Sequence, residues 1–217
     1  MVPLLDLNPD ELLTTTRSVR LRLDFDRPVE RSIIEDCLLV AQQAPTGGNR
    51  QAWSFVIVTD PDQRRALGQI YKRGWDAYLA ELAEQAATAS ARPADDSTVR
   101  VYRSAQYLAE HMGQAPVLIV PCVMGRLEHL TTEQQAGAWG SILPAAWSLM
   151  LAARARGLGT CFTTVHLGFE RDAADLLAIP YDDVTQAGLI PLAYTKGTHF
   201  GPAPRNPLDT IVHWDRW

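Results

Sequence analysis

The stretch Ala115-Pro116-Val117-Leu118-Ile119-Val120-Pro121-Cys122-Val123-Met124 limits the fold of this chain more than any other segment. Its apolar residues run on without the alternation of a half-solvated strand, so it reads as a buried strand. Trp53 to Thr59 is β-branched and aromatic and reads as another. Two more are expected near Thr160–Val165 and Gln186–Tyr194.

Helices between the strands are marked by their ends. In Leu7-Asn8-Pro9-Asp10-Glu11-Leu12, Asn8 can cap, Pro9 suits the first helical position and Glu11 sits at the capping-box position. A second helix follows Pro28, carries Ile33, Ile34, Cys37, Leu38 and Ala41 at helical spacing, and ends near Ala44-Pro45. Asp60-Pro61-Asp62-Gln63 opens a third. A long helix is expected from a cap at Thr131 or Thr132 to Arg156, with Gly157 as a left-handed terminator. It is rich in small residues from Ala136 to Ala146, and Pro144 should kink it or force a local repair. A short helix is predicted over Arg171–Ala178.

The 217 residues suit one domain, 1–217. Within it, 71–113 reads as an uneven helical insertion whose polar middle, Thr88 to Asp96, is broken by Pro93; such a segment is a candidate lid. A net charge of -5 gives no global basic field for nucleic acid, which makes clustered arginines more informative. Met1 to Asp10 lacks the pattern of a signal peptide, and no apolar run reads as long enough to span a bilayer. Cys37, Cys122 and Cys161 show no metal spacing, and neither do the five histidines. The expectation is a cytoplasmic protein with no membrane or nucleic-acid partner and no metal.

Four segments carry possible chemistry. Arg17-Ser18-Val19-Arg20 follows the first helix; its two guanidinium groups can face one anion if the turn stays near-helical, and their planar forks suit phosphate. Pro45-Thr46-Gly47-Gly48-Asn49-Arg50-Gln51-Ala52-Trp53 combines glycines that let backbone approach a ligand with the amides of Asn49 and Gln51, which both donate and accept. Gly157-Leu158-Gly159-Thr160 leads from a helix into a strand, so it is no dinucleotide fingerprint; beyond it lie Thr163 and Thr164. Gly201-Pro202-Ala203-Pro204-Arg205-Asn206-Pro207-Leu208 places one arginine in a rigid tail. No Ser/His/Asp or paired-carboxylate signature appears, and no catalytic residue is assigned.

In this order, the four segments resemble the nitroreductase superfamily of FMN enzymes. The family pattern has an R-[RS]-S-x-R turn, here Thr16 to Arg20, then A-P-[ST]-x-x-N-x-Q-P-W, here Ala44 to Trp53 with Ala52 in place of proline. G-L-G-[ST] and a late arginine before proline-leucine follow, here Gly157 to Thr160 and Arg205 to Leu208. The resemblance implies an α+β fold: an α-β-α sandwich with a mostly antiparallel central sheet, homodimeric, with FMN at the interface. Arg17, Ser18, Val19, Arg20 and Arg205 would hold the phosphate and ribityl end. Pro45, Thr46, Gly47, Asn49 and Gln51 would approach the flavin from one subunit, and Gly159, Thr163 and Thr164 from the other. The helix around Gly137–Ala146 would pack in the dimer core. The implied activity is ping-pong reduction of a nitroaromatic, quinone or related small-molecule acceptor, with NADH or NADPH as electron donor. Alternatives are a dehalogenating or oxygen-using flavoenzyme and a non-catalytic flavin sensor or store. Tyr71, Lys72, Trp75, Tyr78 and Glu81 match no deiodinase substrate grip. His166, just past the threonines, reads as a strand-end histidine satisfied by solvent.

Overall fold

A computed structural model describes residues 4–88 and 96–217. The helices are α1 (Pro9–Thr15), α2 (Arg31–Ala41), α3 (Pro61–Thr88), α4 (Asp96–His111), α5 (Thr132–Ala155) and α6 (Glu170–Leu177). The strands are β1 (Leu23–Asp24), β2 (Trp53–Val58), β3 (Val117–Met124), β4 (Leu158–Thr160), β5 (Val184–Gln186) and β6 (Ile190–Thr195). Every pairing between these strands is antiparallel: β3 pairs with β2, β5 and β6, and β6 also pairs with β1 and β4.

β3 is buried as its sequence requires, and its alternate side chains divide between two cores. Leu118, Val120 and Cys122 enter the core with Leu67, Ile70, Trp75, Leu108 and Ala173, from α3, α4 and α6. Val117 and Ile119 enter the other with Ile33, Ile34, Cys37, Leu149 and Ala153, from α2 and α5. Each such side chain contributes roughly 1.5–3 kcal/mol of burial, and the outcome is helices on both faces of one antiparallel sheet.

The expected caps form. Asn8 Oδ1 accepts from Glu11 N at 2.9 Å while Glu11 accepts from Asn8 N at 2.9 Å. Asp60 Oδ1 accepts from Gln63 N at 2.9 Å at the head of α3. Thr131 caps α5 in a reciprocal box with Gln134. Gly157 ends the turn after α5 with φ +76°.

Several elements differ from expectation. α5 runs through Pro144 as one helix; Gly140, whose carbonyl loses its helical donor there, is exposed to solvent. The strand expected at 160–165 ends at Thr160, and Val165–Phe169 is a 3-10 turn. The strand expected over 186–194 is two strands, parted where Gly188 makes room for the Phe162 ring; a Cβ there would lie 2.7 Å from it. The tail carries a 3-10 turn at Leu208–Thr210. Most of the expected lid consists of α3 and α4, packed against each other and the sheet, and residues 89–95 of its polar middle lie outside the described residues.

α5 also corrects the expectation about apolar runs, since by length and composition alone it could cross a membrane, with a mean hydropathy of 1.3 over its best window. Its buried face packs on α2 and the sheet, as a core helix does.

Candidate functional site

The Arg17–Arg20 turn is fastened to β4. Val19 is buried and its N–H donates to Thr160 O at 2.8 Å, and Ser18 bridges Thr160. The close approach needs Gly159: a Cβ there would stand 2.9 Å from Val19 Cβ and 2.7 Å from Thr195 Cγ2. The turn is not helical, so its two arginines part. Arg17 Nη1 donates to Gly201 O at 2.8 Å, in the tail four residues before Arg205. Arg20 reaches Ser104 Oγ on α4 at a long 3.4 Å. Among the described residues, Arg205 donates only to the neighbouring Pro204 carbonyl, at 3.1 Å. The three guanidinium groups share no hydrogen-bond partner among the described residues.

Around Arg20 lies a cluster that its sequence neighbours do not announce. Cys161 sits against Ser18 and Arg20; burial raises its thiol pKa, which the Arg20 charge opposes. Tyr71 is 3% exposed on α3. Burial pushes its phenol up to about 12, the Cys161 thiol adding to this while Thr163 and Arg20 oppose it. α3 comes this close because Gly74 rides on the Val165 carbonyl, where no side chain would fit.

Thr163 and Thr164 differ in what they leave free. Thr163 exchanges backbone hydrogen bonds with Leu189, and its hydroxyl donates to Leu189 O at 2.7 Å. Thr164 is exposed, and its hydroxyl has no partner among the described residues. His166, two residues on, overturns the expectation of a solvated histidine. It is 0% exposed, with neither ring nitrogen hydrogen-bonded among the described residues. Burial holds its pKa down to about 4, against the pull of Gln186 and Glu170, so it is neutral at neutral pH.

The Pro45–Gln51 loop stands apart, against α5. Gly47 N donates to Ser141 Oγ at 3.4 Å, Gln51 N to Thr46 Oγ1 at 3.2 Å, and Gln51 Nε2 to Asn49 Oδ1 at 3.4 Å. Pro45, at the head of the loop, is exposed. Gly48, Asn49 and Gln51 have φ of +60°, +53° and +50°. Left-handed backbone at the two non-glycine residues costs about 1 kcal/mol each, strain of a kind that collects at ligand-facing loops. A cavity of about 600 Å³ opens beside it, lined by Thr46, Gly47, Arg50, Val123, Met124, Leu127, Glu133 and Gly137 among others. The residues singled out in the sequence thus fall into two groups on one chain, Arg17–Arg20 with Gly159 and Thr163–Thr164, and Pro45–Gln51.

Sequence reading missed a further ionic centre. Arg126, just past β3, grips Glu170 with Nη1 and Nη2 at 3.0 and 2.9 Å and Glu128 with Nε at 2.9 Å. Glu170 in turn accepts from Gln186 N at 2.8 Å, which ties α6 to β5. Arg126 and Glu170 lie 44 residues apart in sequence and leave no local signal of their pairing. Among the described residues, no cluster of His, Cys, Asp and Glu could hold a metal ion.

The chain is similar to several known proteins. Iodotyrosine deiodinase of Drosophila melanogaster is 32% identical over 78 residues, 33% of this chain and 27% of that protein. The chain spans about a third of the length of the deiodinases it matches. The 4-nitrobenzoate reductase of Nocardioides sp. (strain LMS-CY) is 26% identical over 237 residues, 95% of this chain and 90% of the relative. Among solved structures, oxidised iodotyrosine deiodinase bound to FMN and 3-iodo-L-tyrosine superposes with TM-score 0.71 at 20% identity, over 96% of this chain and 99% of that one. The FMN and NADPH-dependent nitroreductase NfnB from sphigopyxis sp. strain HMH does so with TM-score 0.68 at 22% identity, over 97% and 100%. The sequence profile of the Nitroreductase family matches residues 13–194, and this chain belongs to that family.

Proposed function

We propose that two copies of this chain hold FMN between them and that the assembly is an NAD(P)H-dependent oxidoreductase reducing nitroaromatic, quinone or related acceptors. The observation that carries this reading is the division of the site: the arginine turn and the strained amide loop occupy different parts of one chain, so a second copy is needed to close a pocket from both. The residues fit the group. Gly159 keeps the turn close against β4. Arg17 and Arg205, on adjoining stretches of turn and tail, supply charge for the phosphate end, with Ser18 as a neutral donor. Arg20 sits toward Ser104 and Cys161. The Asn49 and Gln51 amides suit the alternating donors and acceptors of a flavin edge, and the unpartnered Thr164 hydroxyl is the one left to donate. FMN held there would supply hydride transfer between a nicotinamide and the acceptor. The protein's task is to orient the two and keep water out.

The α3 side chains favour a reductase over a deiodinase. Tyr71 and Trp75 are buried, so these two are not free to grip an amino acid. The deciding measurement is anaerobic titration of the purified protein with NADH and NADPH. Bleaching of a yellow protein, and recovery of its colour with a quinone or nitroaromatic, is expected. A yellow protein inert to both nicotinamides would leave only the flavin-binding alternatives, and a protein that takes up no FMN would end all of them.

A further inference from the structure

We infer that Arg22 is a positioning residue for the flavin phosphate: with Phe200 it latches the start of the tail to the body of the protein, and the latch sets where Arg205 can stand. This rests on the reading of Arg205 as a phosphate ligand and deepens it. Arg22 directly precedes β1, where Leu23 is buried and pairs with Thr195 on β6. Lys196 N extends the pairing by donating to Arg22 O at 2.8 Å. Arg22 therefore stands where the sheet ends and the tail begins. There the chain turns at Gly197, with φ +79°. Arg22 Nε donates to Lys196 O at 3.0 Å, Nη2 to Gly197 O at 2.8 Å and Nη1 to His199 O at 2.8 Å. Arg17 differs. It gives Nη1 to Gly201 O, and its Nε and Nη2 have no partner among the described residues. Arg17 thus keeps the Nε–Nη2 edge of its fork for an anion, whereas every nitrogen of Arg22 is already on the tail.

Phe200 makes the second half of the latch. It is half-buried against the core that α3 and α4 share with the sheet, while residues 196–199, 201 and 202 are exposed. The guanidinium carbon of Arg22 lies 4.0 Å from the centre of its ring, and that of Arg154 lies 5.0 Å from it. Arg154 is itself buried, with Nε and Nη1 unpartnered among the described residues, so the electron-rich ring face offsets part of a buried charge. Arg205 follows four residues after Gly201, and Pro202 and Pro204 stiffen the span. With the latch open, one hydrogen bond from Arg17 is left on Gly201, and the next fixed residue is Lys196, nine before Arg205. A flexible tether lengthened in that proportion dilutes Arg205 at the phosphate about threefold.

The test is a double-mutant cycle on FMN affinity, read by fluorescence titration of the full chain. Arg22→Ala should weaken FMN about threefold or more, but by less than Arg205→Ala does. In the Arg205→Ala background the same change should cost nothing further, because the residue through which Arg22 acts is gone. Phe200→Leu, which keeps bulk and loses the ring face, should repeat this pattern. Equal loss in both backgrounds would make Arg22 a merely structural residue and overturn the inference. So would unchanged affinity in Arg22→Ala when Arg205→Ala binds FMN poorly. Unchanged affinity in Arg205→Ala would remove Arg205 from the site and this inference with it, leaving the reductase reading in place. A wild type that takes up no FMN would sink the reductase reading itself.

Discussion

His166 is the residue whose environment departs furthest from its sequence context. With its folded pKa near 4 and an ordinary unfolded value near 6.5, the unfolded chain binds the proton first. Stability is therefore complete above about pH 6.5 and is lost as pH falls toward 4, by as much as ~2–3 kcal/mol. Thermal melts from pH 7.5 to 4 should show this acid limb, and His166→Gln should flatten it; an unchanged limb would place the sensitivity elsewhere. Arg126 and Glu170 make the complementary case. Both are largely buried and tied by two hydrogen bonds, so Glu170→Ala leaves Arg126 only the more exposed Glu128 as counter-ion and should cost about 2–3 kcal/mol in denaturant unfolding. The three cysteines are buried, with Cys37 and Cys122 thiols pushed up to about 11 and about 12 by desolvation. A thiol reagent should stay unreactive until the protein is unfolded.

At the scale of elements, the decisive contact is α3 against the 3-10 turn that follows Thr164. Gly74 makes it possible, because a Cβ would run into the Val165 carbonyl, a backbone atom that cannot swing aside. Gly74→Ala should thus destabilise by about 1–3 kcal/mol or more, although alanine is the better helix former by about 1 kcal/mol. A melt showing stabilisation would refute the close approach. Helix ends were legible because a cap is a local event: Asn8 with Glu11, Asp60 with Gln63 and Thr131 with Gln134 all lie within one turn. Strand ends were less so. Gly188 breaks the run from Val184 to Thr195 to admit Phe162, a residue from another segment.

At the scale of the whole molecule, one chain leaves apolar surface on α5 and in its tail. Leu143 and Trp147, one turn apart on α5, are 41% and 42% exposed, and Trp214 in the tail is 85% exposed. If a second copy covers α5 as proposed, Leu143→Asp with Trp147→Asp should shift the protein to monomer in sedimentation and lose FMN with it. Arg205→Ala should behave differently: the fold and assembly persist while FMN affinity falls about tenfold or more, as loss of a charge-assisted phosphate contact implies. Unchanged flavin affinity by fluorescence titration would remove Arg205 from the site.

The sequence by itself determined the buried strand at Val117–Met124, the helix caps and the order of the four segments that mark the family. Each depends on hydrophobic patterning or on neighbours within a few residues. Only the tertiary structure decided which distant groups meet. The spacing of Arg17 and Arg20 suggested one clamp, but the extended turn sends Arg17 to Gly201 and Arg20 to Ser104. Thr163 and Thr164 looked alike, until pairing with Leu189 used one hydroxyl and left the other free. Such contacts form between segments some 25 to 180 residues apart, and their geometry is set by the packing of the sheet and its helices, which no local pattern encodes.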